Sequence, residues 1–314
     1  MIVAHSVKEA CRDAGSVVTV GTFDGVHRAH AEIIREVVSR AKMREGRSVV
    51  VTFDPHPKQV VGPPPGPVEL LSTIGERVEL IGMLGVDILL VLEFTYAFSR
   101  ISPEDFYRTY IIDGTGVDEV IVGYDHMFGR DRAAGINELL KMGKAFDFSV
   151  FAVHPFTVEG ETVSSTGIRQ ALAAGDVDRA AKFLGRPYSF SGTVVRGDGR
   201  GTTIGFPTAN IRPPASKIVP AHGVYAVGVR VGNEQRHGMM NIGLRPTVST
   251  VPAETLEVHL FDFDRDIYGE QVAVSFLRRL RDEKKFDSLS DLVEQLGRDK
   301  EEARQTSLQR PGIG

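Results

Sequence analysis

The 314-residue chain reads as two domains of different class: an α/β domain on a parallel sheet, then an antiparallel β domain with a terminal helix. Three observations predict this. The length is about twice that of a common single domain. In the first half, β-branched runs alternate with segments whose apolar residues recur at helical spacing, as when helices cover both faces of a parallel sheet. After Gly192 the rhythm changes to short runs separated by Gly, Pro, Asn and Asp turns.

The elements follow in chain order. Val17–Val20 is a short buried strand ending at Gly21. From Ala31 to about Glu45, Ile34, Val37, Val38 and Ala41 share one helical face, and Gly46 closes the segment. Ser48–Phe53 is the next strand, stopped by Asp54-Pro55-His56-Pro57, and the proline-rich run 62–67 is a surface loop. Helices at 75–84, 103–112 and 136–143 alternate with strands at 87–92, 119–122 and 148–153. Thr166–Leu184 predicts two short helices broken at Gly175. The boundary is placed near residue 187, giving domains 1–186 and 187–314. Beyond it, runs at 193–196, 224–231, 236–242, 255–263 and 271–277 fit a small barrel or sandwich. The last helix, 288–305, carries Leu289, Leu292, Val293 and Leu296 as its apolar stripe.

Composition narrows the function classes. Hydrophobic residues make up 42% and charged residues 25%, close to the soluble globular average, so whole-chain disorder is not expected. No apolar run approaches the ~18 residues of a membrane span, and the N-terminal residues lack a signal-peptide core. One cysteine, Cys11, excludes an intramolecular disulfide framework and a cysteine-built zinc site. The net charge is −4. A cut after Arg186 leaves 20 basic and 25 acidic residues before it, and 17 and 16 after it. Neither part has the basic footprint of a nucleic-acid domain, although local donors can still hold an anionic small molecule. The expected setting is the cytoplasm. Glycine is in excess, 33 residues, about one in ten against a usual ~7%, so its placement is informative.

Gly21-Thr22-Phe23-Asp24-Gly25-Val26-His27-Arg28-Ala29-His30 joins the first strand to the first helix. Ligands bind at the carboxyl ends of parallel strands, and helix N-termini favour phosphate. A helix starting near His27 would put His27 and His30 one turn apart, where two imidazoles could donate to a phosphoryl group. The same residues would also suit a plain glycine turn with two solvated histidines. Neither the dinucleotide nor the P-loop glycine pattern is present. Ser164-Ser165-Thr166-Gly167-Ile168-Arg169 joins a hydroxyl-rich turn to a helix, with Ser165 or Thr166 as N-cap and Arg169 in the first turn. Gly123–Arg130 follows another strand, again at a ligand-binding end.

In the second half, five glycines lie within residues 192–205, among them Gly197, Gly199 and Gly205, whose backbone N–H groups could cradle phosphate. Thr208 and Asn210 are two apart, so an extended segment turns both side chains the same way. A hydroxyl and an amide oxygen suit a hard cation such as Mg²⁺. In Thr255–Leu260, Leu256, Val258 and Leu260 share one face, and Glu257 and His259 the other. A carboxylate in a barrel mouth could act as general base toward an alcohol, although an exposed sheet face would give the same pattern.

These motifs resemble a known family. GTFDGVHRAH with VSSTGIR is similar to the nucleotidylyltransferase superfamily. VTFDPHP and GYDHMFGRDRAAG narrow the likeness to the flavin-adenylating module of bacterial bifunctional riboflavin kinase/FMN adenylyltransferases. GTVVRGDGRGTTIGFPTANI, MNIGLRPTV, LEVHLFDFDRDIYG and LRRLRDEKKFDSLSDLVEQLGRDKEEA resemble the kinase module. The resemblance implies a Rossmann-like N-terminal domain and a C-terminal barrel. It implies ATP over Gly21, Phe23, Asp24, Gly25, His27 and His30, its phosphates on Ser165, Thr166 and Arg169, and Asp125 in the same site. Phe53, Pro55 and Phe128 would lie near the flavin. In the kinase module it implies Thr208 and Asn210 on Mg²⁺ and ATP, Glu257 as base, and Arg281 with Phe286 in a flavin-closing segment. The substrates would be riboflavin, FMN and ATP, with FAD as final product, and no nucleic-acid or membrane partner.

The sequence departs from that family in two places: Ala29 stands where a glycine is usual and Thr22 where asparagine is. A methyl group there could push ATP outward, so a slower adenylyltransferase is expected. Two alternatives stay open on the residues alone. One is a nucleotidylyltransferase for another phosphorylated substrate with an accessory β domain, against which the Pro207–Asn210 and Glu257-x-His259 elements speak. The other is a riboflavin kinase whose adenylyltransferase half is weakened, or a flavin carrier without catalysis.

Overall fold

A computed structural model describes residues 1–62, 68–124, 135–197, 199–245 and 253–309. By packing, the chain divides into two units, Met1–Ser165 and Thr166–Gly314.

The first unit contains β1 (Ile2–Ala4), α1 (Val7–Ala10), β2 (Ser16–Val20), α2 (Arg28–Met43), β3 (Ser48–Asp54), α3 (Pro57–Val61), α4 (Ile74–Gly82) and β4 (Ile88–Glu93). There follow α5 (Pro103–Phe106), a π-helical stretch Tyr107–Ile112, α6 (Asp113–Thr115), β5 (Val117–Gly123), α7 (Ile136–Phe146), β6 (Ser149–Val153) and the small hairpin β7 (Thr157–Val158) and β8 (Glu161–Thr162). Six parallel strands run in the order β1-β4-β3-β2-β5-β6. Strand alternation sends Val50 and Leu89 into one core with Ile34, Val38 and Ile81, beneath α2 and α4. It sends Val49, Val51 and Leu90 into the opposite core with Tyr107, Ile111, Leu139 and Phe148. The single helix expected over 103–112 is instead α5 continued by the π-helical stretch, which buries Tyr107 and Ile111 together. β1 had no sequence signal because three residues show no periodicity.

Strand order fixes where a ligand can sit. From β2 the chain builds outward through β3 and β4, whereas β5 and β6 build the other way. The reversal falls between β2 and β5, the topological switch point at which open parallel sheets bind ligands beyond their carboxyl ends. The Gly21–His27 loop leaves β2 at that point.

The second unit comprises α8 (Ser165–Ala173, its first residue in the other unit), α9 (Val177–Leu184), β9 (Ser189–Val195), α10 (Arg200–Thr203), β10 (Ala209–Arg212), β11 (Gly223–Val231), β12 (Glu234–Arg245), β13 (Ala253–Leu260), β14 (Gln271–Arg281) and α11 (Leu289–Gln309). The strands close into an antiparallel barrel in the order β10-β13-β12-β11-β14-β9, which decides between the barrel and the sandwich. Phe190, Tyr225, Met240, Val258 and Phe276 fill the interior, with ring centroids 5.3 Å apart for Tyr225 and Phe276. α11 lies outside, its Ala303 packed with Ala226, Met239, Phe261 and Leu277.

The packing division falls earlier than the boundary expected at residue 187. α9 buries Val177, Ala180, Phe183 and Leu184 and packs on β14. The Ala221 N–H donates to Leu172 O at 2.9 Å. Gly175, with φ +75°, makes the break between the two helices as expected, and a Cβ there would lie 2.8 Å from the Arg279 guanidinium. The helical pair therefore belongs by contact to the barrel unit.

Candidate active sites

In the first unit, α2 begins one residue after His27, three residues before the Ala31 start its apolar period indicates. His27 caps the helix, its Nδ1 accepting the His30 backbone N–H at 3.3 Å. The two imidazoles stack with centroids 3.5 Å apart and planes 16° apart. Phe23 meets His30 edge-on at 5.2 Å. A lone pair used at Nδ1 leaves the proton of neutral His27 on Nε2, a donor. Burial, and then the neighbouring His27, hold the His30 pKa well below its ordinary value. Burial thus favours the neutral His30 ring, which can still donate a hydrogen bond. Ala29 is the second residue of α2 and half-buried.

The loop before the helix is held from within. Asp24 is buried, accepting Ser72 N at 2.9 Å, Ser72 Oγ at 3.2 Å and Leu71 N at 3.2 Å. Ser72 Oγ in turn accepts the Gly25 N–H at 2.7 Å. Gly25 has φ +84°, a conformation glycine adopts without strain. Gly21 lies against the Phe23 ring. Asp24 thus turns its carboxylate to the backbone at 71–72 and shapes the loop, a role its sequence position did not reveal.

α8 begins at Ser165, so neither Ser165 nor Thr166 is the N-cap expected of them. The Ser165 hydroxyl instead donates to Asp24 O at 3.0 Å, bringing residue 165 to the glycine loop. Thr166 is exposed and Arg169 half-buried in α8, in the second unit. Asp125 and Phe128 lie outside the described residues. Phe53 and Pro55 follow from β3, with Pro55 exposed after a cis peptide bond.

Two features of this unit escaped the sequence reading. Phe53 belongs to an aromatic cluster with Phe94 at 5.6 Å, Phe98 at 5.9 Å and Phe106 at 6.3 Å, and Tyr110 stacks on Phe106. Phe94 and Phe98 are four apart, the one local hint of a shared surface. Arg77 of α4 is fully buried and donates to Thr22 O at 2.9 Å, Thr52 Oγ1 at 3.2 Å and Phe53 O at 3.2 Å. One guanidinium therefore ties the ends of β2 and β3 together. No sequence pattern marks it, because its partners, two backbone carbonyls and one hydroxyl, come from two other segments.

In the barrel, Asn210 of β10 pairs with Glu257 of β13, which pairs with Asn241 of β12. Register partners share a face, so two amides flank one carboxylate. The Thr208 hydroxyl donates to Glu257 Oε2 at 3.3 Å. A Cβ on Gly197 would sit 2.1 Å from Asn210 Nδ2, so only glycine leaves that amide its cradle. Gly199 caps α10 and Gly205 follows it, both at positive φ. Asn241 was missed because it lies on a strand remote in sequence.

The face these residues share differs from the expectation. Glu257 and His259 point outward, toward the face that carries Met239 and α11, whereas Leu256, Val258 and Leu260 turn inward. The barrel mouth is therefore not the place of Glu257. The interior of a six-stranded barrel is filled by side chains, so a site must form on its flank. His259 is buried, with Nδ1 2.8 Å from Pro207 O. Burial lowers its pKa, the Pro207 bond opposes that, and nearby Lys300 and Arg304 lower it further. Arg281 is held at its guanidinium by Asp299 of α11, at 2.7 to 3.0 Å, and faces the Phe286 ring at 5.7 Å. Asp299 is itself buried and also accepts from Gln295 at 2.8 Å.

Thr208 and Asn210 fit a hard cation by the chemistry of their donors. The Thr208 proton is directed at Glu257, which leaves oxygen lone pairs for a cation, and the Asn210 amide supplies a second neutral oxygen. Among the described residues, no group of three or more His, Cys, Asp or Glu could hold a metal. No helix among them is long and apolar enough to cross a membrane.

Known proteins match both halves. Residues 10–167 match the FAD synthetase family model and residues 184–307 the riboflavin kinase model. A bifunctional riboflavin kinase/FMN adenylyltransferase of Listeria monocytogenes is 37% identical over 93% of this chain and 92% of its own length. Those of Bacillus subtilis and Escherichia coli are 38% and 35% identical, over 95% and 96% of this chain and 94% and 95% of theirs. A Streptococcus pneumoniae crystal structure described as a macrolide-efflux protein superposes with TM-score 0.87 at 36% identity, covering 96% of this chain and 98% of that one. With both models matched in order along one chain, and relatives aligned over nearly its whole length, the chain belongs to the bifunctional riboflavin kinase/FMN adenylyltransferase family.

Proposed function

We infer that this chain phosphorylates riboflavin to FMN in its barrel unit and adenylylates FMN to FAD in its sheet unit. The observation that carries this reading is the presence of two distinct constellations, each matched by its own family model. A transferase with an accessory barrel would have no use for Glu257 set between Asn210 and Asn241.

In the kinase step the ribityl 5′-hydroxyl gives its proton to Glu257, its oxygen bonds to the γ-phosphorus of ATP, and ADP leaves. Thr208 orients the carboxylate, and Gly197, Gly199 and Gly205 clear backbone for the phosphates. Thr208 and Asn210 would hold Mg²⁺, which supplies charge neutralisation at the phosphoryl oxygens. Arg281 and Phe286 close over the flavin. In the second step an oxygen of the FMN phosphate attacks the α-phosphorus of another ATP, and pyrophosphate leaves. His27 and His30 donate to the phosphoryl oxygens as charge spreads over them. Gly21, Phe23, Asp24 and Gly25 shape the ATP loop, Ser165, Thr166 and Arg169 attend its phosphates, and Asp125 joins them. Phe53, Pro55 and Phe128, with the aromatic cluster behind Phe53, take the flavin.

The functional division proposed is 1–186 and 187–314. The family matches end at 167 and resume at 184, and the helices between pack with the barrel. The partners are small molecules in the cytoplasm, where ATP and flavin meet, with no nucleic acid or membrane involved. Incubation with riboflavin, ATP and Mg²⁺ followed by product chromatography tests the reading. FAD is expected. FMN alone would mean a silent sheet unit, and no flavin product would reject the function.

A further inference from the structure

Resting on the kinase reading above, we propose that His259 is a positioning residue for phosphoryl transfer, fixing the Thr208–Asn210 segment against Glu257 through the Pro207 carbonyl. The β10–β13 ladder pairs Asn210 with Glu257 and Ala209 with Val258. It goes no further toward the start of β10, and Pro207 has no N–H with which to extend it. Just upstream the Phe206 N–H is bonded to Gly201 O at 2.9 Å, and the Pro207 carbonyl beside Thr208 is left to a side chain. His259, two residues after Glu257 on the same strand face, supplies it: its Nδ1 lies 2.8 Å from Pro207 O. A carbonyl only accepts, so the ring proton sits on Nδ1. The ring is clamped edge-on by Phe206 at 5.3 Å and Phe261 at 5.7 Å, which leaves it a single orientation. Its other nitrogen, Nε2, is buried and meets no hydrogen-bond partner among the described residues. The imidazole thus has one polar task, and it fixes the backbone one residue before the hydroxyl that orients Glu257.

Three substitutions separate this role from packing. His259→Asn can place an amide donor where Nδ1 was, His259→Gln moves the donor outward to the Nε2 position, and His259→Leu has none. All three lose the aromatic clamp, so all lose thermal stability. Gln keeps more of the ring's volume than Asn, so a packing role ranks Gln above Asn, whereas a donor role ranks Asn above Gln. The KM for MgATP in FMN formation should rise about tenfold in the Leu and Gln variants, the worth of one positioned hydrogen bond, with the riboflavin KM unmoved. In the Asn variant it should stay near wild type. Calorimetric titration with MgADP should give the same ranking without turnover. A Gln variant equal to or better than Asn, or a Leu variant with wild-type MgADP affinity, overturns the proposal. A wild-type chain that makes no FMN would reject only the kinase reading, and the MgADP ranking would still decide for or against His259.

Discussion

Packing favours His30 as a neutral ring. Burial beside His27 lowers its pKa, so between its folded and unfolded values the unfolded chain binds more protons. Stability is then complete above the unfolded value of about 6.5 and falls as pH drops through it. His259, also lowered by burial, adds to the same slope. Thermal melts from pH 8 to pH 5 should show this decline, and His30→Gln should flatten it; an equal slope in both proteins would place the proton elsewhere. Ala29 belongs to the same turn. Ala29→Gly should raise kcat/KM for ATP in FAD formation about threefold, while costing up to ~1 kcal/mol of helix stability. Unchanged kinetics would show that the methyl leaves ATP undisturbed. Both histidines were legible from their spacing, but the lowered pKa was not. It comes from the crowding of Phe23 and the two rings, which only packing creates.

At the level of elements, the end of β14 and helix α11 are joined by the Arg281–Asp299 pair, with Asp299 only 3% exposed at its side chain. The Arg281 guanidinium clasps Asp299 of α11, so the segment proposed to close over the flavin is tied to that helix. Removing one member of a buried pair leaves the other uncompensated. Asp299→Ala should therefore cost about 3 kcal/mol and lower FMN formation more than FAD formation from supplied FMN. Denaturant unfolding and the two assays run side by side check this, and a stable variant with both activities intact would contradict it. The strands and long helices were readable because each carries its own apolar period. The π-helical stretch and the α8 start were not, since burial of Tyr107 and the bond from Ser165 to Asp24 set them.

For the whole molecule, two sites in two units predict two separable activities. Glu257→Ala should abolish FMN formation yet leave FMN-to-FAD conversion within about twofold, and His27→Ala should do the reverse, as expected for sites that share no residue. Loss of both activities in either folded variant would end the assignment of one site per unit. The two classes of architecture, the glycine loops and the candidate residue types were legible in the chain, because periodicity and turn chemistry are local. Tertiary structure alone decided which residues meet. The order of the parallel strands puts the Gly21–His27 loop at the switch point, and barrel closure aligns Asn210, Glu257 and Asn241. It also decided that Glu257 faces out on the barrel's flank, because the six-stranded barrel fills its own interior with side chains.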